Sequence, residues 1–121
     1  MDELAILDQT VLAELRPPIM EDDLLRELIA MFLADAPVRL AALQTAAMGA
    51  DLRAVAAVAH SLKSAAGNLG AQRVVELCFR LEAAARLDDL ILARKLLDTL
   101  EVELARAYPA LEAEVDAPLT Q

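Results

Sequence analysis

The stretch DLRAVAAVAHSLKSAAGNLG, residues 51–70, decides the fold class. Asp51 is a good N-cap, since its carboxylate can accept an orphan N–H of a first helical turn. Gly67-Asn68-Leu69-Gly70 has the composition of a helix end followed by a turn. Laid out at about 100° per residue, Leu52, Val55, Val58, Ala59, Leu62, Ala65 and Ala66 take the sides and back of a helix. The opposite face carries Arg53, Ala56, Ala57, His60, Lys63, Ser64 and Gly67, all within about 60° of His60. A solvated face normally carries Glu, Lys, Gln and Arg. This one carries an imidazole, two cations and four small residues. Small neighbours leave the ring clear, so another protein surface could come close to it.

Working outward, the same 3.6-residue period recurs on both sides. A short helix is expected over residues 8–16, capped by Asp8, with Val11, Leu12 and Leu15 as its apolar stripe. Pro17-Pro18 stops it. A second segment starts near Asp22-Asp23 and carries Leu24, Leu25, Leu28, Phe32, Ala36, Leu40 and Leu43 at spacings of three and four. Pro37 interrupts that pattern, leaving either one kinked helix or two helices that meet there. After the central helix, a fourth runs from about Ala71 to Arg86 with Val74, Leu77, Cys78, Leu81 and Ala84 inward. A fifth follows Asp88-Asp89 and runs to about Ala107 on Ala93, Leu96, Leu97, Leu100 and Leu104. Residues 108–121 contain Pro109 and Pro118 and have weak periodicity. They are read as a tail whose start can extend the last helix and whose end frays. No segment alternates with period two. The expectation is an all-α chain: one domain over residues 1–121, with a core of about 8–107. Its architecture is an antiparallel four-helix bundle with a short additional N-terminal helix.

Composition agrees. The chain is 58% hydrophobic with only 2% aromatic residues, so its apolar mass is Ala, Leu and Val. With only 3 glycines, that favours helix. A net charge of -9 disfavours nucleic acid and anionic lipid as partners. It suits recognition of other proteins. No uncharged stretch approaches the roughly 18 apolar residues of a membrane span. The start Met1-Asp2-Glu3 lacks the basic beginning of a signal peptide. A cytoplasmic protein is expected. The lone Cys78 sits on an apolar stripe and is read as a buried structural thiol. One Cys and one His make a poor zinc set, and no Glu-x-x-His pair is present, so no metal site is expected.

The face around His60 suits phosphoryl transfer. A neutral imidazole is the nucleophile, and an exposed one is mostly neutral at cellular pH. The transferring group spreads negative charge over its outer oxygens. Lys63, one turn on, can stabilise that charge, and Arg53 adds a second cation about two turns back. No glycine-rich nucleotide loop is present, so donor and acceptor must be other proteins and the chain is no stand-alone kinase. Read from the wheel alone, His60 could equally be a satisfied core histidine or an ordinary surface one.

The run Ala59-His60-Ser61-Leu62-Lys63-Ser64-Ala65-Ala66-Gly67-Asn68-Leu69-Gly70 resembles the signature of histidine phosphotransfer (HPt) domains, approximately A-H-x-L-K-G-x-x-x-N-L-G-A. The resemblance extends to Leu81-Glu82. It also extends back to Leu24-Leu25-Arg26-Glu27-Leu28 and to Phe32-Leu33-Ala34-Asp35-Ala36-Pro37, covering roughly residues 8–105. It implies a four-helix bundle that carries phosphoryl groups between receiver-domain aspartates, or from a hybrid sensor kinase to a response regulator. His60 matches the phosphorylated histidine and Lys63 the lysine three residues later. The docking face would comprise Arg53, Ala56, Ala57, Ser64 and Gly67 around the histidine. No cofactor is implied here, because the receiver holds the Mg²⁺ for the aspartate chemistry. Ser64 departs from the family glycine: its hydroxyl could bond the phosphoryl group or hinder the partner. Glu82 stands where some members have glutamine: it could orient the imidazole or repel the phosphoryl group. Two other readings stay in view. One is an adaptor of the same fold that binds a receiver or kinase without phosphate chemistry. The other is the phosphotransfer module of a chemotaxis-type kinase, which would normally be followed by dimerisation and ATP-binding domains. A freestanding carrier is expected. Donor, acceptor, pathway, direction of flow and oligomeric state are not encoded in any motif here.

Overall fold

A computed structural model describes residues 3–17, 19 and 24–116. Five helices follow in order: α1 (Gln9–Glu14), α2 (Leu24–Met48), α3 (Leu52–Gly67), α4 (Gln72–Arg86) and α5 (Leu90–Asp116). No strand occurs among the described residues. Packing closes a ring, with α3 between α2 and α4, and α5 against α2 and α4. Short connections make neighbours antiparallel. The all-α bundle with a short N-terminal helix is the expected architecture.

The caps explain where the helices start. Asp8 accepts from the Thr10 N–H at 3.0 Å. Asp51 accepts from the Ala54 N–H at 3.1 Å, and Asp89 from the Leu92 N–H at 3.0 Å. The expected cap at Asp22-Asp23 and Pro18 lie outside the described residues. The α3–α4 turn needs its glycine. Gly70 has φ +67°, and a Cβ there would lie 2.9 Å from the Asp8 carbonyl oxygen. The Asp8 N–H donates to the Gly70 carbonyl at 2.8 Å, which fastens the start of α1 over this turn.

The core is aliphatic. Ile29, Leu43, Val55, Leu62, Leu81, Leu100 and Leu104 are essentially inaccessible. The α4 stripe is buried as expected, Cys78 included. Elsewhere the stripe rotates slightly. Ile29 and Ala47 are buried, whereas Leu24, Leu28, Leu40 and Leu96 are only half-buried. α2 passes through Pro37 as one helix. By length and composition α2 could also cross a membrane. Here it lies against α3 and α5 with Leu25, Ile29, Phe32, Ala36 and Leu43 buried.

The start of the 108–121 segment extends the last helix. α5 runs on to Asp116 through Pro109, with Leu111 fully buried and Tyr108 and Val115 half-buried. Proline denies one carbonyl its donor and crowds the previous turn, but burial of the following side chains offsets this. Arg16 also fastens the segment, donating to the Glu114 carboxylate at 2.8 Å and carbonyl at 3.1 Å. At the other end the core begins before residue 8. Leu7 is buried, and Arg73 Nε donates to the Leu4 carbonyl at 2.8 Å.

Leu111→Ala is expected to lower stability by about 2–4 kcal/mol in urea unfolding. A loss no larger than that of an exposed residue would show that the helix beyond Pro109 adds nothing to the fold.

Candidate functional site

α3 points Val55, Ala59, Leu62 and Ala66 into the core. The geometry of the helix then turns His60 outward, and its side chain is 60% exposed. Arg53, Ala57, Ser64 and Gly67 are exposed beside it, and Ala56 and Lys63 are half-buried. The face expected from the wheel is therefore assembled as such. Arg53, Ala56, Ala57 and His60 line a groove whose other wall is Ala85 and Arg86 of α4.

α4 supplies the charge at the centre of this site. Its Glu82 is buried, with 6% of the side chain exposed. Lys63 Nζ donates to Oε1 at 2.9 Å. His60 Nδ1 lies 3.3 Å from both carboxylate oxygens. The Arg86 guanidinium, one turn further along α4, closes on Oε2 at 2.5 Å. The Lys63 ammonium holds the Glu82 carboxyl below its ordinary range. Burial opposes this, and His60 and Arg86 assist it. The Glu82 carboxylate thus lies against one ring nitrogen of His60. Lys63 is thus no free surface cation. It is held by Glu82 and sits 5.6 Å from the centre of the Phe79 ring, in cation–π range.

Several neighbours escaped the sequence reading. Arg86 is four residues from Glu82, a helical ion-pair spacing that could have revealed it. Phe79 lies one turn before Glu82. Arg39 of α2 bonds both Asp35 and Ser61, fastening α2 to the residue next to His60. That contact joins two helices and leaves no local signature. The Ser64 hydroxyl donates to the His60 carbonyl at 3.3 Å. Cys78, beneath the site, has its thiol pushed up to about 12 by burial, with Lys63 opposing and Glu82 adding; it is an inert core group. No cluster of three or more metal-ligating side chains occurs among the described residues.

The bundle with one exposed imidazole, flanked by small residues and backed by a buried carboxylate, can be compared with known proteins. Residues 27–117 match the family model of the Hpt domain. The crystal structure of histidine-containing phosphotransfer protein B (HptB) from Pseudomonas aeruginosa PAO1 superposes with a TM-score of 0.86. Its sequence is 32% identical, and the match covers 94% of this chain and 97% of that one. No curated protein sequence matches. The class defined is a helical phosphotransfer module of two-component signalling. The chain belongs to the Hpt domain family and is a phosphorelay carrier. Hpt domains work with receiver domains and histidine kinases, and an adaptor without phosphate chemistry is not favoured.

The lowered Glu82 carboxyl makes a stability prediction. The unfolded chain takes up this proton first, near the ordinary value of 4.5. The stabilisation is present above that value and is lost as pH falls through the lowered one. Stability in urea should therefore drop on acidification below about pH 5, and Glu82→Gln should flatten that part of the profile. An unchanged slope in the variant would show that the carboxylate is not held charged.

Proposed function

We propose that His60 is the residue that receives and returns the phosphoryl group. The observation that carries this reading is a single exposed imidazole on a face of small side chains, within one turn of Lys63. The ring is open to attack in line on a phosphorus atom held by another protein. Lys63 places an ammonium beside the nucleophile, where the charge of the transferring group develops. It stays there because Glu82 and the Phe79 ring hold it.

The partners are response-regulator receiver domains, a hybrid sensor histidine kinase, or both. Arg53, Ala56, Ala57, Ser64 and Gly67 form the face on which they dock. In a chain of net charge -9, the surroundings of His60 carry the cations Arg39, Arg53, Lys63 and Arg86 beside the carboxylates Asp35, Glu82 and Asp88. Those cations suit a partner whose reacting group is a carboxylate in an acidic, Mg²⁺-binding pocket. This chain needs no cofactor of its own; the Mg²⁺ belongs to the receiver. The relay takes place in the cytoplasm.

A transfer assay against phosphorylated receiver domains tests the assignment. His60→Gln should abolish acid-labile, base-stable label and change stability by only about 0.5 kcal/mol. Label retained by the variant would place the acceptor elsewhere.

Lys63→Ala should slow transfer by roughly tenfold or more. It also leaves Glu82 without its main partner, so it should cost stability. The double variant Lys63→Ala/Glu82→Gln removes that orphaned charge and should regain stability without regaining rate. Wild-type rates in either variant would rule out a charge role for Lys63.

A further inference from the structure

We infer that Phe79 is a docking residue: its exposed ring on α4, with Val75 and Gly67 beside it, takes up an apolar side chain of the receiver domain. The inference rests on the reading of His60 as the phosphoryl acceptor and adds a contact on α4 to the face around it.

The chain holds three aromatic residues, two Phe and one Tyr. Phe32 is buried in the core and Tyr108 is half-buried. Phe79 is 57% exposed. A ring left in water gains little from the hydrophobic effect, and large aromatic side chains are the residues most often found as anchors of protein interfaces.

Its neighbours make more of it than a singly exposed apolar residue. Val75 stands one helical turn before it on α4 and is half-buried against the core. Gly67 of α3 lies across from Val75. A Cβ at Gly67 would meet only Val75 Cγ2, at 3.9 Å, so the α3 side of this spot is open. Glu76 and Arg80, paired at 3.0 Å on α4, add charge at its edge. An apolar centre with a polar rim is the ordinary anatomy of a recognition surface.

The ring also discriminates between side chains. The Lys63 ammonium lies over it, 5.6 Å from its centre. That cation takes the attraction of the ring's electron-rich face and repels a second one. The open part of the ring therefore favours an apolar side chain over Lys or Arg.

Distance names the occupant. The ring centre is 5.6 Å from Lys63 Nζ, which is 2.9 Å from Glu82 Oε1, which is 3.3 Å from a His60 ring nitrogen. A standard interface covers about 800 Å² of each partner, a patch about 16 Å in radius. The three distances laid end to end are shorter than that radius. A domain that brings its aspartate to His60 therefore spans Phe79 as well. Arg53, Ala56 and Ala57 precede His60 on α3, and the Phe79 spot extends the face in the other direction, toward Gly67.

Binding of Mg²⁺-loaded receiver domains, the panel used in the transfer assay, tests this by titration calorimetry on unphosphorylated protein. For a receiver that exchanges label, Phe79→Ala should raise the dissociation constant about 10–30-fold, the size of an interface hot spot. Phe79→Leu keeps an apolar side chain and gives up the aromatic face toward Lys63. It should regain most of the affinity. Gly67→Met fills the spot from α3 while Lys63 keeps its partners, and should weaken binding as Phe79→Ala does. It gives a second reading should Phe79→Ala fail to fold. In transfer from the phosphorylated receiver, the loss should fall mainly on KM. Wild-type affinity in Phe79→Ala or in Gly67→Met would overturn the inference. So would a Phe79→Leu as weak as Phe79→Ala, because the ring would then act through Lys63 alone. A panel in which no receiver binds wild type overturns it too. Label that persists in His60→Gln, alongside weakened binding in Phe79→Ala, would instead sink the acceptor assignment and spare this contact.

Discussion

The carboxylate of Glu82, buried between α3 and α4, is the constraint around which the site is arranged. Ionised oxygens taken out of water lose several kcal/mol of hydration, and a buried pair is often no net gain in stability. What compensates here is specific: the Lys63 ammonium, the Arg86 guanidinium and one imidazole nitrogen meet the same two oxygens. If α3 slid along α4 by one residue, Lys63 would leave its partner and the carboxylate would stand uncompensated. The pair therefore sets the register of the two helices that pack most extensively. It also holds the imidazole and the ammonium one turn apart on one face.

A second buried acid shows what the first would be without a histidine. Glu103 of α5 is as inaccessible as Glu82. Arg73 and Arg106 donate to its Oε1 at 3.3 and 2.8 Å, while its Oε2 and the Tyr108 hydroxyl have no partner among the described residues. Arg73 also holds the Leu4 carbonyl, so this cluster fastens the N-terminal segment to α4 and α5. Burial and pairing thus make a structural clamp at Glu103; at Glu82 an exposed imidazole shares the carboxylate and adds chemistry.

Local signals were legible in the sequence, and contacts between distant segments were not. Asp51, the apolar back of α3 and the small residues of its outer face all lie within one helical stretch, so the helix and its exposed histidine could be read directly. The same holds for the buried stripe of α4. The extension of α5 beyond Pro109 was open in the sequence but its length was not legible, because the local pattern ends at a helix breaker. Only the burial of Leu111 and the grip of Arg16 on Glu114 continue it. Glu82 could be named as a candidate but its role could not, since Lys63 and His60 are 19 and 22 residues away in the chain. Arg39 gave only the i,i+4 spacing to Asp35 that many solvated arginines share; its other partner, Ser61, is on another helix.

The small residues of the α3 face admit two explanations, and the geometry separates them. If they were small so that another helix could pack close, added atoms would collide. At Gly67 a Cβ would meet only Val75 Cγ2, at 3.9 Å, an ordinary contact, and the residue is exposed. Packing within the bundle does not require glycine there. Ser64, where the family pattern has glycine, is exposed as well. Its hydroxyl is committed to the carbonyl of His60, one turn back on its own helix. In this arrangement it donates to its own helix. At Gly67 and Ser64 the smallness of this face is thus a property of the surface, whereas Ala56 is half-buried against the core. A surface that keeps its side chains short around one exposed imidazole, and its cations anchored from below, leaves the ring as the most accessible reactive group for a protein that approaches it.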